Sequence, residues 1–353
     1  MLVEKNVPLQ SCNSFGIAAR ARALVRVRSL EDLQVLHADT QLARQPWLAL
    51  GGGSNIVLTG DVAPLVLKME VRGLRLVQET PQAWIVEAGA GERWHDLVAW
   101  TLGEGWPGLE NLALIPGTVG AAPVQNIGAY GVELQDRFDS LRAFDMHTGE
   151  SFTLDAVGCA FGYRDSVFKH AAPAAGGVGL AGRALITHVR LRLPKAWSPE
   201  LGYLELRRRC EEAGVAVPSA RQIFDWVCAI RSAKLPDPAH VGNAGSFFKN
   251  PTVTPEQCQD IIARDPAIVH YPMPDGSVKL AAGWLIDACG WKGKTMGRAG
   301  VYERQALVLV NRGDRHDPEA SVTGGEVMTL ARAIQTSVYE RFGIRLEPEP
   351  VLV

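Results

Sequence analysis

The chain has 353 residues, of which 47% are hydrophobic and 21% charged, and its formal net charge is −2. This length predicts two or three domains of about 100–200 residues each, and the composition is typical of a globular protein with a sizeable core. The balanced charge argues against nucleic acid or an anionic membrane as a partner. The amino-terminal residues lack a signal-peptide pattern, and no apolar run is long enough to cross a bilayer. Six scattered cysteines without a C-x-x-C pair indicate a reducing cytoplasm.

The first 75 residues are predicted to form strands and one helix. Residues 47–50 and 56–58 are short apolar runs typical of buried strands. Ser29 is placed to cap the helix through Asp32. Three leucines are predicted on one face of that helix: Leu30, Leu33 and Leu36.

The sequence G-G-G-S-N (51–55) joins the two short strands. Glycines in such a connection allow backbone N–H groups to turn outward and to approach an anion closely. A tight turn without any ligand explains the same composition, so both interpretations stay open at this point.

A second region begins with an alternating strand at 83–91 and a helix at 94–102 that ends at Gly103. A long loop rich in glycine and proline follows at 108–134, and irregular stretches of this length are uncommon without a function. Further strands are predicted at 140–146 and 184–193, with a flexible connection of small residues at 171–182 between them.

A third region begins near residue 216. Its first predicted helix has an apolar stripe at helical spacing and ends before Pro236. Thr254 to Gln257 form a capping box with proline at the first helical position. Residues 305–311 are a predicted buried strand, and a last apolar stripe marks a helix that ends at Gly343. The residues of the two stripes are Ile223, Trp226, Val227 and Ile230, then Val327, Leu330, Ala331, Ile334 and Val338. The pattern predicts an α+β protein without regular βαβ alternation.

Four stretches combine reactive side chains with glycine or proline. The glycine triplet and the loop at 115–131 have the small residues and amide donors to hold a pyrophosphate and a polar ring, or they are two packed turns. Arg164 follows Tyr163 and either pairs with Asp165 or binds a carboxylate. Ser246 lies in an N-A-G-S turn, and no histidine and aspartate at triad-like positions support acyl transfer. Glu349, between two prolines, is a rigidly presented carboxylate or a polar terminus. The eight histidines show no ligand spacing, so no metal is expected.

Six motifs in order resemble the UDP-N-acetylenolpyruvoylglucosamine reductase family. They are N-S-F-G-I (13–17), L-G-G-G-S-N (50–55), the segment 108–131, Y-R-D-S (163–166), G-N-A-G-S-F-F-K-N-P (242–251) and L-E-P-E (346–349). The resemblance covers nearly the whole chain, and it implies an α+β FAD-binding fold of the vanillyl-alcohol-oxidase (PCMH) type with a carboxyl-terminal substrate domain. The implied domains are 1–75, possibly joined by 345–353, then 76–213, and 214–344 for the substrate.

The resemblance implies that the two glycine-rich segments hold FAD. Residues 50–58 contain neither the histidine nor the cysteine through which related oxidases attach flavin, so we expect dissociable, non-covalent FAD. The implied cofactor-binding residues are Gly51, Gly52, Gly53, Ser54, Asn55, Pro116, Gly117, Thr118, Gly120, Ala121, Gln125, Asn126, Gly128, Ala129 and Tyr130.

The family reaction implies that NADPH reduces the flavin and leaves, and that a hydride then passes from flavin N5 to UDP-N-acetylglucosamine-enolpyruvate. By this resemblance Arg164 stabilises the charge on the substrate carboxylate and Ser246 protonates the neighbouring carbon. Glu349 is expected to be protonated or hydrogen-bonded to the substrate carboxyl, because an anion beside a developing anion is repulsive. The positions that resemble those gripping the UDP-sugar are Tyr163, Tyr203, Lys234, Asn250 and Gln305.

Two departures from the family pattern stand out. The stretch 171–182 resembles an insertion, and Pro350 replaces the valine usual after the glutamate. A cytoplasmic monomer is expected. Two other functions fit the same fold: another non-covalent FAD oxidoreductase that acts on a sugar or alcohol, and a flavin-free nucleotide-sugar binding protein.

Overall fold

The structure is a computed structural model that describes residues 2–172 and 179–353. The chain divides into two compact units. The first comprises Met1–Val7, Ala21–Gly52 and Ala63–Ala233, and the second comprises Pro8–Arg20, Gly53–Val62 and Lys234–Val353. The three domain boundaries expected from the sequence stay a prediction.

The strands, in chain order, are β1 Val3–Pro8, β2 Arg20–Val27, β3 Trp47–Leu50, β4 Ile56–Val57, β5 Leu65–Met69, β6 Leu74–Glu79, β7 Ala83–Gly89, β8 Gly128–Ala129, β9 Val132–Glu133, β10 Phe138–Asp145, β11 Ser151–Leu154, β12 Ala184–Pro194, β13 Asn243–Ser246, β14 Thr252–Val253, β15 His270–Pro272, β16 Val278–Leu280, β17 Thr295–Met296, β18 Ala299–Val301, β19 Val308–Asn311 and β20 Val351–Leu352. The helices are α1 Leu30–Ala38, α2 Trp94–Gly103, α3 Ala156–Cys159, α4 Leu204–Ala213, α5 Ala220–Lys234, α6 Pro255–Arg264, α7 Ala282–Ala288 and α8 Gly324–Phe342. None of these helices is both long and apolar enough to cross a membrane, within the described residues.

A small sheet in the order β1-β2-β5-β3 opens the first unit, with β5 parallel to both β2 and β3. Helix α1 begins with the predicted capping box, in which Ser29 and Asp32 each accept a backbone N–H of the other. Leu33 and Leu36 are buried as expected. Leu30 is 39% exposed because it is the first residue of the helix.

The larger sheet of the first unit is antiparallel, in the order β11-β10-β12-β7-β6. One face packs with α2 and α5 in a core that includes Trp94, Val189 and Ile223. Phe144 and Leu185 instead join the core of the small sheet. The strands and helix predicted between 83 and 193 are therefore confirmed, with boundaries shifted by one or two residues.

The long loop at 108–134 folds into short 3-10 turns and a two-residue hairpin. The turns are Glu110–Leu112, Val119–Ala121 and Pro123–Gln125. Strands β8 and β9 form the hairpin, and its two turn residues, Tyr130 and Gly131, have φ of 50° and 87°. Two positive φ values are what a tight hairpin of right-handed twist requires.

The second unit contains a sheet in the order β13-β19-β18-β17, a smaller sheet β14-β16-β15, and the parallel pair β20-β4. The predicted capping box at Thr254 begins α6. All five apolar residues of the last predicted stripe are buried in α8, and Gly343 caps that helix in the left-handed region.

Helix α4 was not predicted, and part of the connection predicted at 171–182 lies outside the described residues. Helix α4 was missed because only Leu206 and Cys210 are buried in a run otherwise dominated by charge. Of the connection predicted at 171–182, residues 173–178 lie outside the described residues. A β-bridge joins Ala171 to Leu180 on either side of that gap.

Candidate active site

Two glycine-rich segments of the first unit lie in direct contact. A Cβ added to Gly51 would stand 2.5 Å from Thr118 Oγ1, and one added to Gly52 would stand 3.0 Å from Gly117 Cα. These distances leave no room for a side chain. The two glycine-rich loops are therefore packed against each other at these four residues, as the packed-turn alternative describes, and their role in holding an anion stays a prediction.

The loop at 117–120 is held by backbone hydrogen bonds to the residues after β7. The N–H of Val119 donates to Glu92 O at 2.9 Å, and the N–H of Gly120 donates to Ala90 O at 2.9 Å. A Cβ on Gly120 would stand 2.5 Å from the Cβ of Ala90, so only glycine allows this spacing. The loop is therefore a rigid extension of the sheet.

These residues fit a dinucleotide cofactor. The Oγ1 of Thr118 is buried and has no hydrogen-bond partner within residues 2–172 and 179–353. A buried hydroxyl without a partner costs free energy unless a ligand supplies one. With the bare backbone of two glycines next to it, Thr118 offers a hydroxyl donor to a phosphate oxygen.

The rest of the glycine triplet belongs to the second unit. Gly53 has φ of 62°, and a Cβ there would stand 2.0 Å from Cys12 O. Its carbonyl accepts the backbone N–H of Ser14 at 3.0 Å. The N-S-F-G-I motif therefore supports the turn that Ser54 and Asn55 continue.

The buried amide of Asn126 ties the hairpin to the turn that carries Arg164. Asn126 has φ of 43°, and its Nδ2 donates to Glu133 Oε2 at 2.9 Å and to Gly162 O at 3.2 Å. Its Oδ1 accepts the N–H of Gln135 at 3.0 Å. Asn126 therefore shapes the loop on which the other predicted cofactor residues lie: Ala121, Gln125, Gly128, Ala129 and Tyr130.

Arg164 lies against the hairpin. Its φ is 54°, its Nη2 donates to Gly128 O at 3.1 Å, and its guanidinium carbon is 5.6 Å from the ring centroid of Tyr163. The carboxylate of Asp165 contacts His170 Nε2 at 2.8 Å. A non-glycine residue with positive φ is uncommon and is concentrated at functional sites.

Tyr130 contacts a second cationic side chain, that of Arg231, close to Arg164. Burial raises the pKa of Tyr130 to about 12, so its phenol stays protonated, and its side chain is hydrogen-bonded to Arg231. The ring of Tyr203 meets that of Tyr130 edge to face at 4.9 Å. Residues predicted separately for cofactor and for substrate are thus brought together in the first unit.

Arg231 was missed by sequence reasoning. Its Nε is buried without a hydrogen-bond partner in the described part of the chain, and burial lowers its pKa from the ordinary value. Arg164 is among the neighbours that act on its charge. Arg231 lies four residues after Val227 and eight after Ile223, on the buried stripe of α5. A cation on an apolar stripe is the signal that identifies it.

The second unit brings Ser246 and Glu349 together. Ser246 is exposed at the end of β13, directly after Gly245 with φ of 72°. The backbone N–H of Glu349 donates to Phe247 O at 2.9 Å, and Phe248 and Pro348 form a β-bridge. The carboxyl-terminal segment therefore runs antiparallel to residues 247–249 and places Glu349 beside the residue that follows Ser246.

Pro350 is compatible with this arrangement. The N–H of Glu349 is used on Phe247 O, and the N–H of Val351 is used on Asn55 O at 2.9 Å. Pro350 has no N–H that would need a hydrogen-bond acceptor. It is buried, and it lies between Glu349, which bonds to Phe247, and Val351, which bonds to Asn55. Proline therefore costs this segment no hydrogen bond.

Asn250 and Gln305 converge on the first turn of α7. Asn250 Oδ1 accepts the N–H of Ala282 at 3.0 Å, and a Cβ on Gly283 would stand 3.1 Å from Gln305 Oε1. Lys234 is the last residue of α5. Tyr163 and Tyr203 are 40% and 43% exposed.

In the described ranges, 2–172 and 179–353, no three histidine, cysteine, aspartate or glutamate side chains form a group that could hold an ion.

Family models cover both ends of the chain. Residues 237–353 match the model of the UDP-N-acetylenolpyruvoylglucosamine reductase carboxyl-terminal domain, and residues 21–155 match that of an FAD binding domain. The reductase of that name from Azoarcus sp. (strain BH72) is 55% identical over 357 residues, covering 100% of this chain and 98% of the relative. The one from Burkholderia vietnamiensis is 56% identical over 346 residues, covering 98% and 95%.

A solved structure has the same fold. The crystal structure of UDP-N-acetylenolpyruvylglucosamine reductase from Thermus caldophilus superposes with a TM-score of 0.65 at 24% identity, covering 100% of this chain and 99% of that one. With the FAD-binding model, this confirms the α+β flavin-binding fold expected from the sequence.

Proposed function

This chain belongs to the UDP-N-acetylenolpyruvoylglucosamine reductase family of FAD-dependent oxidoreductases, and from that premise we propose that it reduces the enolpyruvyl ether of UDP-N-acetylglucosamine-enolpyruvate with NADPH as the reductant. The product is UDP-N-acetylmuramate, a precursor of peptidoglycan. The observation that carries the proposal is identity of 55–56% to reductases of that name over almost the full length of both chains.

Non-covalent FAD is held by the loops that meet at Gly51 and Thr118, whose spacing supports this part of the proposal. When bound, FAD would supply the hydride-transfer chemistry of the reaction, with NADPH as the source of the two electrons. Backbone N–H groups of the two loops and the Thr118 hydroxyl bind the pyrophosphate. The rigid hydrogen bonding of 117–120 orients the flavin without any covalent link.

Arg164 stabilises the negative charge that develops on the substrate carboxylate. One preorganised donor of this kind contributes about 3–4 kcal/mol to transition-state stabilisation. The hydrogen bond to Gly128 O and the contact with Tyr163 fix the guanidinium before substrate arrives, which supports this role. Arg231, next to Tyr130, adds a second positive charge to the same place.

Ser246 donates the proton that completes the reduction. A hydroxyl is a weak acid, but hydride addition to the methylene carbon leaves a carbanion on the neighbouring carbon, and this strong base gives the proton transfer enough driving force. The exposed position of Ser246 after a flexible glycine supports access to a ligand. Glu349 is held close by its backbone bond to Phe247 and hydrogen-bonds the substrate carboxyl.

Five side chains bind the UDP-sugar. The two exposed tyrosines offer ring faces and hydroxyls, Lys234 offers a charge to the diphosphate, and the amides at the first turn of α7 offer hydrogen bonds. The full set in this proposal is Tyr163, Tyr203, Lys234, Asn250 and Gln305.

The reaction is tested by mixing purified protein with NADPH under anaerobic conditions. We expect flavin absorbance that is released on denaturation, and NADPH consumption that depends on the enolpyruvyl nucleotide. Flavin reduction by a sugar or alcohol in place of NADPH, followed by reoxidation when oxygen is admitted, would identify another oxidase of this fold. A colourless protein that binds the nucleotide-sugar would identify a flavin-free binding protein.

Ser246→Ala separates the two half-reactions. Flavin reduction by NADPH should keep its wild-type rate, while reoxidation by the enolpyruvyl substrate should collapse. Ser277→Ala, at a half-buried position directly after the turn at 274–276 of the same unit, is the matched control and should leave both rates unchanged. Equal loss of both half-reactions in Ser246→Ala would contradict the assigned role.

A further inference from the structure

The segment that carries Tyr203 has no regular structure of its own. Residues 195–202 lie between the end of β12 and the start of α4 and form neither helix nor strand. Tyr203 follows as the N-cap residue of α4, with its ring 4.9 Å from that of Tyr130. The position of Tyr203 therefore depends on what holds residues 195–202.

Glu110 binds one end of this segment. Its side chain is buried, with 3% of the residue exposed, and its Oε1 accepts the indole N–H of Trp197 at 2.6 Å. Its Oε2 accepts the backbone N–H of Gly108, also at 2.6 Å. A buried carboxylate is costly unless it is hydrogen-bonded, and both oxygens here are used to join the loop at 108 to Trp197.

Asn111 binds the other end. Its Nδ2 donates to Glu200 O at 3.0 Å and to Tyr130 O at 2.9 Å, and only 1% of the residue is exposed. An asparagine amide has two N–H donors, and here one goes to the segment and the other to the hairpin turn. Gly202 closes the segment by donating its N–H to Glu200 Oε1 at 2.8 Å.

We infer that Glu110 and Asn111 are positioning residues that hold the 195–203 segment, and with it Tyr203, against the hairpin turn at Tyr130. They act through Tyr203 on the binding of a nucleoside-diphosphate sugar. This last step rests on the proposed function, whereas the anchoring of the segment does not. Glu110 and Asn111, which precede the predicted cofactor loop at 115–131, thus connect this part of the chain to the segment 195–203.

Asn111→Asp is the sharpest test because it keeps the shape and removes both donors. Its carboxylate would face two carbonyl oxygens, which repel it. We expect faster hydrogen exchange at the amides of 196–204, a rise of about tenfold in KM for UDP-N-acetylglucosamine-enolpyruvate, and a kcat within about threefold of wild type.

Trp197→Phe keeps the ring and deletes one hydrogen bond, so it guards against a folding failure of Asn111→Asp. It should show the same two changes with smaller size. Tyr203→Ala should raise KM without changing exchange outside its own neighbourhood. If Tyr203→Ala leaves KM unchanged, the proposed role of Tyr203 fails while the exchange measurement still tests the anchoring.

Two results overturn the inference. Exchange at 196–204 that equals wild type in both Asn111→Asp and Trp197→Phe shows that these hydrogen bonds do not hold the segment. Faster exchange with an unchanged KM, in a protein where Tyr203→Ala raises KM, shows that the anchoring does not position Tyr203.

Discussion

His95 accepts a hydrogen bond at Nδ1 from the backbone N–H of Leu114, with 3.1 Å between the two nitrogens. Leu114 has φ of 56° and directly precedes the I-P-G-T-V-G segment of the cofactor loop. The ring of His95 stacks on Phe224 with centroids 5.5 Å apart and planes at 10°. Only an imidazole whose Nδ1 carries no proton can accept this bond, so the strained backbone at Leu114 depends on neutral His95.

The stability of the protein should therefore fall in mildly acidic solution. Burial lowers the pKa of His95 from the ordinary histidine value. The charges of Arg93 and Arg231 lower it further, while that of Asp96 opposes the shift. The unfolded chain then binds more protons than the folded one below the ordinary value, so the free energy of unfolding decreases as pH falls through it. Thermal unfolding followed from pH 8 down to about 5.5 measures this slope.

His95→Asn supplies the matched comparison, since its amide oxygen can accept the same hydrogen bond without titrating. The variant should show a flatter dependence of the unfolding temperature on pH than wild type. Some slope will remain, because burial also lowers the pKa of His188. Parallel pH profiles for wild type and variant would show that His95 does not titrate differently on folding.

Gly120 is a position of the predicted cofactor loop, residues 115–131, where an added methyl group would clash with a neighbouring residue. A Cβ there would stand 2.5 Å from the Cβ of Ala90 and 3.0 Å from its Cα. We expect Gly120→Ala to lower the free energy of unfolding by about 1–3 kcal/mol through overpacking, and to weaken FAD binding because the loop must move. Thermal unfolding and an FAD fluorescence titration measure the two effects.

The double variant Ala90→Gly with Gly120→Ala moves the methyl group from one side of the contact to the other. It should regain most of the lost stability and FAD affinity. Gly103→Ala is the control, because a Cβ at this end of α2 meets nothing within 4 Å. That substitution should stabilise the helix by about 0.5–1 kcal/mol and leave FAD binding unchanged. A double variant no better than Gly120→Ala would place the damage elsewhere.

Local signals in the sequence predict most of the fold. The capping boxes at Ser29 and Thr254 begin helices, and the five-residue stripe from Val327 is buried, because capping and burial act within a few residues. Helix α4 carries no such signal, since its charged residues face solvent on most sides. The second unit is built from three separate stretches of chain, and pairs such as β4 with β20 are set by packing that no local pattern records.

In the candidate site, too, some features follow from local sequence signals and others do not. The glycine-rich composition predicts either a backbone site for an anion or packed turns; Gly51 does pack against Thr118, and the anion site stays a prediction. The roles of Glu110 and Asn111 were not predicted, because their partners, Trp197 and Glu200, lie about ninety residues away along the chain. A polar pair inside an apolar run such as L-E-N-L-A-L indicates buried hydrogen bonding, but it does not identify the partner.

Arg231 should matter to activity more than to stability. Its buried Nε lacks a hydrogen-bond partner among the residues described, and burial lowers its pKa, so the folded protein carries the cost of this charge. A bound anion would offset that cost. Arg231→Met keeps the length and the apolar stem of the side chain. It loses the hydrogen bond to Tyr130, worth about 1 kcal/mol, but it also removes the free-energy cost of the buried charge.

We therefore expect Arg231→Met to unfold within a few degrees of wild type while its kcat/KM falls by about 100-fold, the cost of removing one preorganised charge. Arg221→Met on the same helix is the control: its side chain is 70% exposed and pairs with Asp225, so neither quantity should change. Steady-state kinetics and thermal unfolding of the three proteins separate the possibilities. If stability falls in parallel with activity, Arg231 has a structural role instead. A charge whose role is to bind a ligand is not needed for the stability of the ligand-free protein.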